Sequence, residues 1–272
     1  MRRIGIFGAS GMLGAYVEAY LRQHDFDVVT FSRSDVITEP NGLRTRLESM
    51  GADPLWIINC VGVIKPQVAE QGAAETIRVN SFFPHILARV AGDLGHHVIH
   101  ITTDCVFSGA TGNYVETSPH DEVDIYGRTK SLGEPESCMV IRTSIIGEER
   151  FHKRSLIEWA KSQAGKEVRG FTNHTWNGVT CLEFAKIAHR LIEAGTTWHG
   201  VRHVFSPTAV NKLELLGLID TAFGLGLTVK PFETPAPCFR TLATNYPDII
   251  RQCRVPELSV QLRELRSFAW SA

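Results

Sequence analysis

Ile4-Gly5-Ile6-Phe7-Gly8-Ala9-Ser10-Gly11-Met12-Leu13-Gly14 is the stretch on which the fold turns. Its apolar start runs into Gly8, Gly11 and Gly14, spaced three apart, and Leu13, Val17, Tyr20 and Leu21 continue at helical intervals. This order predicts a buried strand, a tight turn and a helix whose N-terminus is left open. Glycine tolerates positive φ and lets backbone N–H groups approach a pyrophosphate, which the helix dipole also favours. The spacing is G-x-x-G-x-x-G rather than G-x-G-x-x-G, and alone it fits a glycine-rich turn of any α/β protein.

Working outward, 272 residues suffice for one large α/β domain or a core with a smaller lobe. The 28 Lys and Arg nearly balance 29 Asp and Glu, so charge points to neither a nucleic acid nor a membrane as partner. Six cysteines are scattered without a C-x-x-C pair, and Cys60, Cys105 and Cys138 sit in or beside apolar runs. Free thiols in a reducing compartment are expected, with no disulfide framework and no metal site. The apolar run after Met1-Arg2-Arg3 is too short for a signal peptide, and no stretch reaches membrane-span length, so a cytoplasmic location is expected.

Further strands are predicted at Asp27–Phe31, Leu55–Val63, His97–Thr102 and Cys138–Thr143. Helical patterns intervene at Leu43–Met50 and Ala73–Ala91, the latter with Asn80 inside it and a break near Phe83 imposed by Pro84. Such alternation predicts a Rossmann-type, doubly wound parallel α/β sheet over residues 1–150. The texture then changes. Helices are predicted at Ser155–Ala164, Thr180–Ala194, Asn211–Phe223 and Pro256–Phe268, with strand-like Val201–Phe205 and Leu227–Phe232. Residues 151–272 are expected to form a smaller C-terminal substrate lobe over the sheet edge, with a boundary left fuzzy and open to interleaving segments.

Three features suggest chemistry. At the end of the second strand, where a ribose-binding acid is expected, stand Thr30, Phe31, Ser32 and Arg33. A guanidinium between two serines suits a 2′-phosphate and favours NADPH, with NADH the alternative; a solvated loop arginine is the plainer reading. Tyr126 and Lys130 are four apart and share a helix face. A lysine beside a tyrosine lowers the phenol pKa toward a workable general acid and can also hold ribose hydroxyls, although such a pair also occurs on ordinary surface helices. Thr103, at the end of the fourth strand, could donate to a developing oxyanion, with Thr102 pointing the other way.

Together these motifs resemble the extended short-chain dehydrogenases/reductases, and within them the dTDP-4-dehydrorhamnose reductase group. The resemblance is carried by Gly8 to Gly14, by Thr102-Thr103-Asp104-Cys105-Val106-Phe107-Ser108-Gly109, by Tyr114-Val115-Glu116, by Tyr126 to Glu134 and by Ile141-Arg142-Thr143-Ser144. It implies a catalytic set of Thr103, Tyr126 and Lys130. It implies a cofactor cradle of Gly8, Ser10, Gly11, Met12, Leu13, Gly14, Arg33, Cys60, Val61, Gly62 and Lys130. Cys105 replaces the tyrosine, and Ile145 the tryptophan, that the group places near the sugar. Lys65, Cys105, Arg142, Asn173, His174, Trp176, Asn177 and Arg240 are therefore the candidate substrate contacts.

The function so implied is NADPH-dependent reduction of a nucleotide-linked 4-keto-6-deoxy sugar, with a homodimer as the candidate assembly. Asp104 is followed by Cys105 rather than a second carboxylate, which disfavours a dehydratase. A sugar-nucleotide epimerase and a non-catalytic NADP-binding regulatory subunit are the alternatives.

Overall fold

Strand and helix alternate through the first half of the chain in the computed structural model, which describes residues 2–51, 55–150 and 153–270. β1 (Arg3–Phe7), α1 (Met12–Arg22), β2 (Asp27–Phe31), α2 (Pro40–Glu48) and β3 (Trp56–Asn59) come first. α3 (Val68–Ile77) runs through a π turn at Arg78–Phe82 into α4 (Phe83–Asp93), followed by β4 (His97–Thr103), α5 (Ile125–Ser131) and β5 (Met139–Thr143). Then come β6 (Ile145–Ile146), α6 (Leu156–Ser162), β7 (Glu167–Phe171), β8 (His174–Trp176), β9 (Val179–Thr180), α7 (Cys181–Glu193) and β10 (Gly200–His203). β11 (Val210–Asn211), α8 (Lys212–Phe223), β12 (Thr228–Phe232), β13 (Cys238–Phe239), α9 (Pro247–Cys253) and α10 (Leu258–Ser267) complete the order.

Six strands pair in parallel in the order β2-β1-β3-β4-β5-β10. The inner strands β1, β3, β4 and β5 are buried on both faces along most of their length, which is why they read as apolar runs, whereas the edge strands β2 and β10 are only partly buried. Ile58 faces the core formed with α1 and α7, while its neighbour Ile57 faces the core formed with α2 and α4. Because β2 and β3 lie on opposite sides of β1, the chain reverses direction across the sheet there. That opens a crevice beyond the C-terminal ends of β1 and β3.

Several predicted elements differ at their edges for identifiable reasons. The third strand stops at Asn59 rather than Val63, because Val61 N takes the Asn59 side chain (3.1 Å) as its acceptor instead of a neighbouring strand. The long helix predicted at Ala73–Ala91 is interrupted by the π turn, and Pro84 occupies the first turn of α4. Residues Gly200–His203 pair with β5, so the main sheet crosses the 150/151 boundary and the two stretches share one core. α9 was not anticipated.

The rest of the second half builds two small sheets, β11-β8-β13 and β12-β7, beside the main one. All six cysteines are free thiols. Among the described residues, no helix is long and apolar enough to cross a membrane, and no cluster of three or more His, Cys, Asp or Glu could hold a metal ion.

Candidate active site

The three glycines of the opening turn do different work. Gly8 has φ +81°, and a Cβ there would press on the Cys60–Val61 backbone at 3.0 Å. Gly11 caps α1, and its N–H donates to the Gly8 carbonyl at 3.0 Å. A Cβ on Gly14 would collide with that same carbonyl, so Gly14 lets the helix seat on the turn and does not itself line the cleft.

Two cavities share Gly11, Cys60, Val61 and Gly62 and so form one continuous cleft. Ser10, Phe31, Ser32, Arg33 and Arg78 line its outer end, and Met12, Leu13, Thr103, Tyr126 and Lys130 its inner end. The Arg33 guanidinium is largely exposed, 3.3 Å from Gln71 and 3.7 Å from Glu75. The flanking serines are not free to help it. Ser32 Oγ donates to Asp35 at 2.7 Å and lies 2.6 Å from Ser34 Oγ. Asp35, the acid nearest the end of β2, is turned toward Arg46 at 2.8 Å and does not line the cleft. Burial opposes its ionisation, but hydrogen bonds from Arg46 and Ser32 outweigh that and hold its carboxyl below the usual range.

The inner end is assembled around α5. Asp124 caps the helix by accepting from Gly127 N at 2.7 Å. Gly127 packs directly on the Cys105 carbonyl, and Gly133 packs on the Asn80 carbonyl, where side chains would not fit. Asn80 lies in the π turn, a distortion often found at functional sites. Its carboxamide donates to Thr129 Oγ1 (3.2 Å), and Ser81 Oγ donates to the Thr129 carbonyl (2.7 Å). These contacts carry Tyr126 toward Thr103 at the end of β4. Thr103 Oγ1 accepts from Cys105 N (3.1 Å) and donates to Asp104 Oδ1 (3.2 Å). Thr102 is buried, and its hydroxyl has no partner among the described residues.

The expectation that Lys130 lowers the Tyr126 pKa is corrected. Burial pushes the phenol well above its ordinary value; Cys105 adds to this, Thr103 partly opposes it, and Lys130 is not among its largest influences. The lysine is itself buried, with Nζ donating to the Ile101 carbonyl at 3.1 Å, and burial draws its pKa down to about 8. Asp104, 3% exposed, is pushed up by burial against the pull of Arg240. Burial also raises the Cys105 thiol to about 12, which makes it a neutral wall of the cleft rather than a nucleophile.

The candidate substrate residues divide. Cys105 and Ile145 line the inner cleft. Arg240 lies beside it, with Nη1 3.5 Å from Cys105 Sγ, Nη2 2.7 Å from Glu122 and Nε donating to the Phe107 carbonyl at 2.9 Å. Lys65 is ion-paired at 2.5 Å to Asp124, the cap of α5.

Arg142 is not a substrate contact. It is 1% exposed and spends its donors on Glu134, His203 and His120. Asn177 is likewise interior, bonded through both amide atoms to Leu242. Asn173 and His174 hold Thr234, and Trp176 is a core side chain. Sequence reasoning overlooked the clamp by Asn80 and Ser81, although Asn80 stood out as a polar residue within a helical pattern. It also overlooked Lys212, whose trace was a cation in a helix's first turn, where acids are favoured.

A family model described as the RmlD substrate binding domain matches residues 1–168. A dTDP-4-keto-6-deoxy-D-glucose reductase from Streptomyces niveus is 32% identical over 148 residues, 51% of this chain and 51% of that protein. The chain thus spans about half the length of this relative in the match. Methionine adenosyltransferase 2 subunit beta from Danio rerio is 28% identical over 246 residues, 82% of this chain and 75% of that protein. Among solved structures, a dTDP-4-dehydrorhamnose reductase from Bacillus anthracis in complex with NADP superposes with a TM-score of 0.81 at 19% identity, over 97% of this chain and 99% of that one. That likeness speaks to the fold.

Proposed function

The chain belongs to the RmlD substrate binding domain family, and on that footing we propose that it reduces the keto group of a nucleotide-linked 4-keto-6-deoxy sugar with NADPH. The observation that carries this is the meeting of Thr103, Tyr126 and Lys130 at the inner end of a cleft whose outer end is the glycine turn. The residues fit a dinucleotide. Gly8 lets the Cys60–Val61 backbone close on the turn, Gly11 opens the helix N-terminus, and Arg33 offers an exposed cation for a 2′-phosphate. When bound, reduced nicotinamide supplies the hydride.

The chain's own groups then manage the resulting charge. Tyr126 holds its proton firmly at neutral pH, and the alkoxide left by hydride addition is a strong enough base to take it. Thr103 stands at the strand end to exchange its Asp104 partner for that oxygen and stabilise it. Lys130 faces the loop at Gly62, where a ribose hydroxyl can take its ammonium.

The test is absorbance of reduced nicotinamide on mixing protein, NADPH and a 4-keto-6-deoxy sugar nucleotide. Net consumption is expected, and Tyr126→Phe should abolish it while leaving NADPH affinity near normal. Wild-type turnover in that variant, or no NADPH consumption by the wild-type chain, would overturn the assignment. The Danio rerio relative favours a second reading, a regulatory subunit that binds the nucleotide without turnover. Co-purification in fixed ratio with another enzyme, and no reductase activity, would support that reading.

A further inference from the structure

Lys212 is the first residue of α8, and Asn211 and Glu214 fix its place by a reciprocal pair of bonds at 2.9 and 2.8 Å. The strand that feeds it, β11, flanks β8 on one side, and β13, which leads to Arg240, flanks it on the other. Both register on one residue: Asn211 and Phe239 each pair with Thr175. Lys212 and Arg240 follow by one position each, so the small sheet delivers two cations to the same corner. There Phe239 N donates to the Gly109 carbonyl at 2.7 Å, docking the sheet on the segment that carries Asp104 and Cys105.

The two cations are not equivalent. Arg240 is committed to Glu122 and to the Phe107 and Ser108 carbonyls. Lys212 lies over the Trp176 ring at 5.2 Å, near enough to Asp104, Cys105, Cys238 and Arg240 to feel their charge. Among the described residues, none offers its ammonium an acceptor at hydrogen-bond or ion-pair distance. Asp104 instead engages Thr103 and Ser144. Burial draws the lysine's pKa down, with Asp104 opposing. A half-buried ammonium without an acceptor is costly, and an arriving anion removes that cost.

We propose that Lys212 is the specificity-determining cation of the substrate side and takes the diphosphate that links sugar to nucleoside. A neutral sugar hydroxyl would leave the charge uncompensated, whereas phosphate oxygens neutralise it. The cofactor's own pyrophosphate belongs at the glycine turn, so this is a separate anion seat. With the keto carbon at Thr103 and Tyr126, the diphosphate lies across the sugar ring, toward Cys105 and this corner. The assignment rests on the reductase reading for the sugar, but not for the anion.

The experiment is calorimetric titration of the full chain with thymidine diphosphate and uridine diphosphate, each against its uncharged nucleoside, for wild type, Lys212→Met and Lys212→Arg. Wild type should bind at least one diphosphate better than its nucleoside, and Lys212→Met should lose about tenfold in diphosphate affinity. Lys212→Arg should keep most of that affinity, and NADPH affinity should be unchanged in both variants, which also reports an intact fold. Equal diphosphate affinity in wild type and Lys212→Met, or no diphosphate binding by wild type, would overturn the proposal. A chain that binds diphosphate through Lys212 but reduces no 4-keto sugar nucleotide would sustain the anion seat and overturn the reductase reading. A chain that reduces the sugar with a Michaelis constant unaffected by Lys212→Met would do the reverse.

Discussion

Asn80 and Val63 are joined through both backbone groups of the valine: Asn80 Nδ2 donates to the Val63 carbonyl at 3.0 Å, and Asn80 Oδ1 accepts from Val63 N at 2.8 Å. The same carboxamide reaches Thr129 on α5. One side chain thereby holds the loop after β3 at a fixed distance from the helix that carries Tyr126 and Lys130.

Asn80→Ala would leave both Val63 groups unpaired in a buried setting. A loss of about 1–3 kcal/mol is expected, read from the urea midpoint at constant m-value. NADPH affinity should fall as well, because Val61, Gly62 and Val63 line the cleft. Unchanged stability and unchanged affinity would show that the clamp is dispensable.

The glycine turn offers a paired comparison. Gly14→Ala drives a methyl into the Gly8 carbonyl and should destabilise by about 1–3 kcal/mol while weakening NADPH binding. Gly92, in α4, has open space around its Cβ position, and Gly92→Ala should instead stabilise by about 0.4–1 kcal/mol. Thermal melts of the two variants, run side by side, give opposite signs if steric contact rather than helix propensity governs Gly14.

Arg142 and Glu134 form an ion pair at 2.5 Å with side chains 1% and 5% exposed. Arg142→Met strands a buried carboxylate and should cost about 3–5 kcal/mol. Replacing both partners with apolar residues, as in Arg142→Met with Glu134→Leu, should cost less than the single change. In any variant that folds, the Michaelis constant for the sugar nucleotide should stay near that of wild type. A selective rise in that constant would restore Arg142 to the substrate site.

The same hub sets an acid limit. His203 Nε2 lies 2.8 Å from Arg142 Nη1 and Nδ1 lies 2.7 Å from the Ala243 carbonyl, so the ring accepts from the arginine and must be neutral. His120 Nε2 meets Arg142 Nη2 at 2.8 Å in the same way. Burial, reinforced by Arg142, lowers His203 to about 4 and His120 below its ordinary value. In the unfolded chain these rings take up protons near pH 6.5. Below that pH the unfolded state binds protons that the folded state refuses, so stability is complete above about 6.5 and drains away as pH falls toward 4. Urea midpoints across this range should decline, and His203→Asn should flatten the slope.

The opening turn was legible because glycine spacing and apolar runs are local consequences of one strand entering one helix. β2 and the helices capped by Ser155, Thr180 and Asn211 were legible for the same reason. That Thr103, Tyr126 and Lys130 would line one cleft was legible because they lie within one short span of chain. Arg142 misled, since a conspicuous strand-end arginine looks the same in sequence whether it meets a ligand or a buried Glu134. Asn173, His174 and Asn177 misled similarly: the backbone at Thr234, Ala236 and Leu242 that absorbs their polar atoms is about sixty residues away. Lys212 and Arg240 could be brought together only by knowing that β11 and β13 share β8.

α5 has seven residues, about two turns, too short to persist without outside support. Its order is borrowed from Asp124 at one end and from the close approaches at Gly127 and Gly133 along it. Integrity of the proposed active site and global foldedness are therefore separate thermal quantities in this chain. As temperature rises, NADPH turnover should fade several degrees before the sheet gives way, with amide exchange in residues 125–131 faster than in β4 or β5. The working ceiling of the proposed reductase is set by the clasp on one short helix, not by the melting point of the protein that carries it.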